Sequence, residues 1–166
     1  MPSTKLKTVC SSLLFASICF GTSLAFATET DDSDKIQKYY MQFAGDRCQA
    51  GKDMANAEWG DCMFSAQEYS VKELEQNFKD ILQHIDSINL EELGLSSTTT
   101  KQSWKDMLKK SQSYWEKYRD LECNEAEVIM MGSAMGAGNA SMGCHMEKNF
   151  YRIKELRSSS GMDDPQ

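Results

Sequence analysis

Apolar side chains recur along this chain at intervals of three and four rather than two, the periodicity of helices. Within "SDKIQKYYMQFA", residues 33–44, Ile36, Tyr39, Tyr40 and Phe43 share one helical face. A longer pattern follows, with Asp53 or Asn56 placed to cap it. Trp59, Cys62, Met63, Ala66, Leu74, Phe78, Ile81, Leu82 and Ile85 lie near one stripe, which predicts a helix running to about Ile85. "LGLSSTTT", Leu93 to Thr100, breaks it with a glycine and five Ser/Thr residues, types that favour turns and N-caps. The third helix is predicted from about Lys101 to Glu127, burying Trp104, Met107, Leu108, Ser111, Trp115, Tyr118 and Leu121. "MGSAMGAGNASMG", residues 131–143, holds four glycines in thirteen positions, which disfavours continuous helix. A last helix is expected at roughly 141–157, presenting Ile153 and Leu156. The tail "RSSSGMDDPQ" has too little apolar content to pack and is expected to fray. No stretch keeps strand alternation and no repeat of 20–50 residues appears. The fold class is therefore all-α: a small antiparallel bundle of three to four helices.

The first residues change the compartment. "MPSTKLKTVCSSLLFASICFGTSLAFATET" opens with two lysines, continues apolar and reaches Ala25-Phe26-Ala27, the pattern of a secretory signal peptide cleaved after Ala27. Ser, Thr and Gly interrupt the apolar run, so a retained membrane helix is the weaker reading. Neither Cys10 nor Cys19 follows the small residue that a lipid-modified cysteine requires. A soluble mature protein of 139 residues (166 less 27) is expected, periplasmic or secreted, with no membrane contact after cleavage.

Charge narrows the partners. Cleavage removes Lys5 and Lys7, leaving 16 basic residues against 25 acidic ones, a formal net charge of −9. Nucleic acid and anionic lipid both demand a basic face and are poor partners. A basic protein would be drawn in by long-range attraction, whereas acidity serving solubility alone is the plainer reading.

Four cysteines survive cleavage: Cys48, Cys62, Cys123 and Cys144. An even number in an exported chain reads as two disulfides. Zinc competes poorly, because it usually needs close pairs and the spacings here are 14, 61 and 21. On the predicted helices, Cys48 lies just before helix two and Cys62 in its early turns. Cys123 and Cys144 flank the glycine-rich connection. The pairs Cys48–Cys62 and Cys123–Cys144 thus need the least rearrangement, each closing a loop that contributes about 3 kcal/mol of chain entropy.

Leu108, Gln112, Trp115, Tyr118, Arg119, Asp120 and Cys123 together resemble the signature of the LprI-type lysozyme-inhibitor domain family. A Cys48…Cys62 pair ahead of a long helix agrees with it, as do Gly132-Ser133 followed by Cys144, Arg152 and Leu156. The resemblance covers about 46–157, leaving 28–45 as an N-terminal helix and 158–166 as a flexible tail. It departs at Ala55 and Asn149, where threonines are expected, and in a glycine-serine loop about two residues longer.

The resemblance implies an exported helical protein that binds and blocks lysozyme. Animal-type lysozymes are basic and carry two carboxylates in their cleft. An acidic inhibitor would be steered to them but must bring neutral or cationic groups to the cleft itself. Segment 132–143, closed by Cys123–Cys144, is the candidate plug. Gly132, Gly136 and Gly138 would let backbone N–H groups approach, and Ser133 and Asn139 can donate hydrogen bonds. A plain flexible connector is the competing reading.

Catalysis is not expected. Arg119 and Asp120 are adjacent on a helix and point about 100° apart, so they do not address one pocket. Arg119 is assigned to pairing with a carboxylate or capping carbonyls between helices, and Trp115, Tyr118 and Trp59 to the core. His84 and His145 join no catalytic set. No cofactor is implied. Two other classes stay open. Met130, Met131, Met135, Met142, His145 and Met146 fall within 17 residues and supply ligands that suit Cu(I). An envelope module for some other protein partner is the third.

Overall fold

The computed structural model describes residues 29–49, 54–95, 97–131 and 134–162. The leader expected at 1–27 lies outside them. Among the described residues five α-helices follow in order: α1 Glu29–Met41, α2 Asn56–Ser87, α3 Lys101–Leu121, α4 Glu127–Met131 and α5 Ala134–Ser159. A 3-10 turn, Asp46–Cys48, precedes α2, and a π turn, Glu122–Ala126, joins α3 to α4. No strand occurs among the described residues. The fold is all-α.

α2 is organised by its buried stripe of Cys62, Met63, Ala66, Ser70, Leu74, Ile81 and Ile85. Ala55 has no side-chain acceptor for the first turn, so only half a capping box forms: the Ala55 N–H donates to the Glu58 carboxylate, 3.1 Å. α3 starts better. The Thr100 hydroxyl accepts from the Ser103 N–H and the Ser103 hydroxyl accepts from the Thr100 N–H, both at 3.0 Å. Gly94 makes the preceding turn with φ +68°, a conformation other residues rarely adopt.

Two apolar clusters hold the bundle. The first gathers Ile36, Tyr40, Met41, Met63, Ala66 and Met146 around Cys48 and Cys62, which are disulfide-bonded. The second joins Leu74, Ile81, Ile85, Leu108, Ile153 and Leu156, flanked by Trp104 and Trp115. α2 packs most extensively against α5. Polar cross-links give the directions: Ser70 meets Asn149 and Asn77 meets Arg157, so α2 and α5 run parallel. Gln112 meets Arg152 and Arg119 meets Asn149, so α3 runs antiparallel to α5.

Four expectations need correction. The glycine-rich stretch is helical from Ala134, because α5 is built by packing Ala137, His145 and Met146 inward, and that outweighs intrinsic propensity. α3 ends at Leu121, and the chain reaches Glu127 through the π turn. Met107, Tyr118 and Leu121 are exposed at 55%, 53% and 58%, and Phe43 at 44%. The tail does not fray at once: the Ser160 hydroxyl donates to the Leu156 carbonyl and Met162 packs on the second cluster.

Candidate functional site

The signature residues of α3 converge on one internal network. Trp115 sits between two guanidiniums, with Arg119 Cζ 5.3 Å and Arg152 Cζ 5.4 Å from its ring centre. Arg119 Nη1 donates to Asn149 Oδ1 at 2.9 Å, and Asn149 Nδ2 donates to Ser70 Oγ at 2.9 Å. Arg152 Nε donates to Gln112 Oε1 at 3.0 Å, while its Nη groups reach Glu155 and Ser111. Asn149 is fully buried and tied to both α2 and α3, which accounts for an amide where a threonine was expected. Leu108, Gln112, Arg152 and Leu156 are all buried. These residues clasp α3 onto α5 and α2.

Arg119 also donates to Asp120 through Nε and Nη2, at 3.0 and 2.7 Å. Adjacent helical residues diverge at the backbone, yet the long Arg119 guanidinium folds back along the helix to reach its neighbour. Both bonds fall on Asp120 Oδ1.

The candidate plug is divided by the structure. Gly132 and Ser133 lie outside the described residues. Gly136, Gly138 and Asn139 lie in the first turns of α5. From Gly138 onward the backbone N–H groups are taken by carbonyls four residues earlier, so they offer no donors to a partner. Cys123, in the π turn, is bonded to Cys144 in α5. This staple draws α4 and the start of α5 against the end of α3.

Of the soft ligands in the copper reading, Met142, His145 and Met146 lie within about one turn of each other on α5, with His145 and Met146 buried. Met142 and Met146 belong to the first apolar cluster, and Met130 is 82% exposed on α4. His145 Nε2 is 3.0 Å from Asn124 Oδ1, and its buried Nδ1 has no partner. Nothing is described for the side chains of Met131 and Met135. No group of three or more His, Cys, Asp or Glu able to hold a metal occurs among the described residues.

What periodicity missed is an outward apolar surface. At about 100° per residue, Trp104, Leu108, Gln112, Trp115 and Arg119 share the inward arc of α3. Met107, Tyr114, Tyr118 and Leu121 occupy the adjoining arc and remain exposed. The surface continues onto α4, where Ile129 is 77% exposed. The signal was present: "VIMM", residues 128–131, is apolar in every direction on a helix of five residues, too short to bury all four. Tyr118, Leu121, Glu122, Glu125 and Ile129 line a shallow hollow of about 360 Å³ at this corner. Lys148 Nζ lies 2.9 Å from Glu122 and 5.4 Å from the centre of the Tyr118 ring. Hydrogen bonding from Tyr118, then from Lys148, holds the Glu122 carboxyl below the usual carboxylate range.

The described residues thus form a helical domain with two disulfide staples and an exposed apolar corner. The family model described as lysozyme inhibitor LprI matches residues 48–156, and the chain belongs to that family. This is an inhibitor family rather than an enzyme family, and its natural partner class is a protein, lysozyme. No curated protein and no solved structure matches the chain. No helix among the described residues is long and apolar enough to cross a membrane.

Proposed function

We propose that the mature protein is exported, binds a basic lysozyme and blocks its cleft, using the disulfide-bounded segment between Cys123 and Cys144. The observation that carries this reading is the exposure of Ile129 and Met130, 77% and 82%, on a short helix held by that staple. Apolar side chains are seldom clustered in solvent without a partner. Family membership supplies the partner class, and the mature charge of −9 from 16 basic and 25 acidic residues favours a basic one. The staple reduces the freedom the segment loses on binding. Gly132, Ser133, Gly136, Gly138 and Asn139 lie within this segment. In this reading Ser133 and Asn139 contribute side-chain donors, and helical Gly138 serves as bare surface rather than as a backbone donor.

A lytic assay with a panel of lysozymes tests it. Purified protein should inhibit at least one basic lysozyme at micromolar excess and leave an acidic muramidase active. Failure against every basic lysozyme would sink the reading. Inhibition removed by moderate salt alone would reduce it to long-range attraction, which is screened beyond about 8 Å at physiological ionic strength.

A further inference from the structure

We propose that the hollow at the α3–α4 corner is the anchor site for an arginine or lysine side chain of the basic partner. The inference rests on the inhibitor reading and names the contact within it. The hollow is mostly apolar, lined by Tyr118, Leu121 and Ile129, and two acidic residues, Glu122 and Glu125, also line it. Long cationic side chains need that pairing, because they bury a hydrocarbon stem while keeping the charged head solvated or paired.

The molecule already contains an example of the contact. Lys148, from α5, lies over the Tyr118 ring at 5.4 Å and pairs with Glu122 at 2.9 Å. The internal lysine engages Glu122 and leaves Glu125 to receive a cation from outside. The wider segment suits the same partner: residues 116–127 hold Glu116, Asp120, Glu122, Glu125 and Glu127 against Lys117 and Arg119, five acidic residues to two basic. A second copy of this chain fits less well. An antiparallel, two-fold pairing along the outward arc of α3 would bring Lys110 of one copy beside Lys117 of the other, a like-charge contact. Packed anchors in small pockets commonly dominate binding energy, and arginine is prominent among them.

Calorimetry with the full mature protein, both disulfides intact, and a basic animal-type lysozyme tests the assignment. Leu121→Asp and Ile129→Asp should each raise Kd by roughly tenfold or more, as loss of a central anchor does. Glu125→Lys should raise Kd and also flatten its dependence on salt. Met107→Asp, on the same helix but four turns away, should leave Kd within about twofold, since additive distant sites do not couple. All four side chains are solvent-exposed, so unchanged circular dichroism and Tm are expected. If wild-type protein inhibits lysozyme and the three corner variants bind as tightly, the anchor is overturned while the inhibitor reading stands. If wild-type protein binds no lysozyme, both fall. If Ile129→Asp abolishes self-association in sedimentation and leaves lysozyme affinity unchanged, the face belongs to a second copy and the anchor is overturned.

Discussion

Trp115 shows how one residue can serve packing and electrostatics together. Its ring is half-buried against the second apolar cluster and faces two guanidiniums. Trp115→Ala should therefore destabilise by about 2–4 kcal/mol, toward the lower side of the range for fully buried aromatics. Urea unfolding measures it, and a loss near zero would show that Arg119 and Arg152 hold α3 without the ring. His145 acts in the opposite sense to a stabilising charge. Burial, and then the Arg119 guanidinium, lower its pKa against a weaker pull from Asp120. The folded protein thus prefers neutral His145, and the unfolded chain takes up the proton first. This contribution is complete above about pH 6.5, the unfolded value, and is lost as pH falls through the depressed folded value. Stability should therefore decline as pH falls below about 6.5, and His145→Gln should flatten that decline. Glu122, held below its ordinary 4.5 by hydrogen bonds from Tyr118 and Lys148, contributes stability that is lost only as pH falls beneath that value.

The elements show where periodicity is informative and where it stops. α2 could be read closely because its apolar stripe is continuous and α5 covers it along most of its length. α3 could not, because its apolar residues occupy two adjoining arcs and spacing alone does not say which faces the core. The start of α5 was hidden by its glycines, which carry no propensity signal that tertiary packing must obey. A Cβ added at Gly138 or Gly143 would meet nothing within 4 Å, so neither glycine is required by close approach. Gly138→Ala should accordingly stabilise the fold by about 1 kcal/mol, read as a raised Tm. If Gly138 is bare contact surface, the same variant should also weaken lysozyme binding, and unchanged binding would place the contact nearer Ile129.

At the scale of the molecule, what could be read was local and what could not was long-range. Cysteine neighbours 14 and 21 positions apart are paired across short connections that the helix pattern had already defined. The Ser70–Asn149 and Asn77–Arg157 links span 79 and 80 positions, and no short-range pattern announces them. The candidate surface was half legible: its acidity and its staple could be seen in order, but its apolar face was assigned to the core. The architecture gives the two staples different roles. Cys48–Cys62 ties the 3-10 turn to α2 beside the first apolar cluster, whereas Cys123–Cys144 joins only the α3–α4 corner to α5. Replacing Cys123 and Cys144 by serine should remove about 3 kcal/mol of loop-closure stabilisation. The loss should be uneven, because both apolar clusters lie outside the closed loop except for Met142. Far-UV circular dichroism should stay largely helical while amide exchange accelerates from Glu122 to about Ala137, the pattern of local rather than global opening. Lysozyme affinity should fall with that opening even at temperatures where the variant remains folded. A variant that unfolds globally would make the corner part of the main cooperative unit. One that exchanges slowly there and binds like wild type would show that α4 is held by its own contacts, not by the staple.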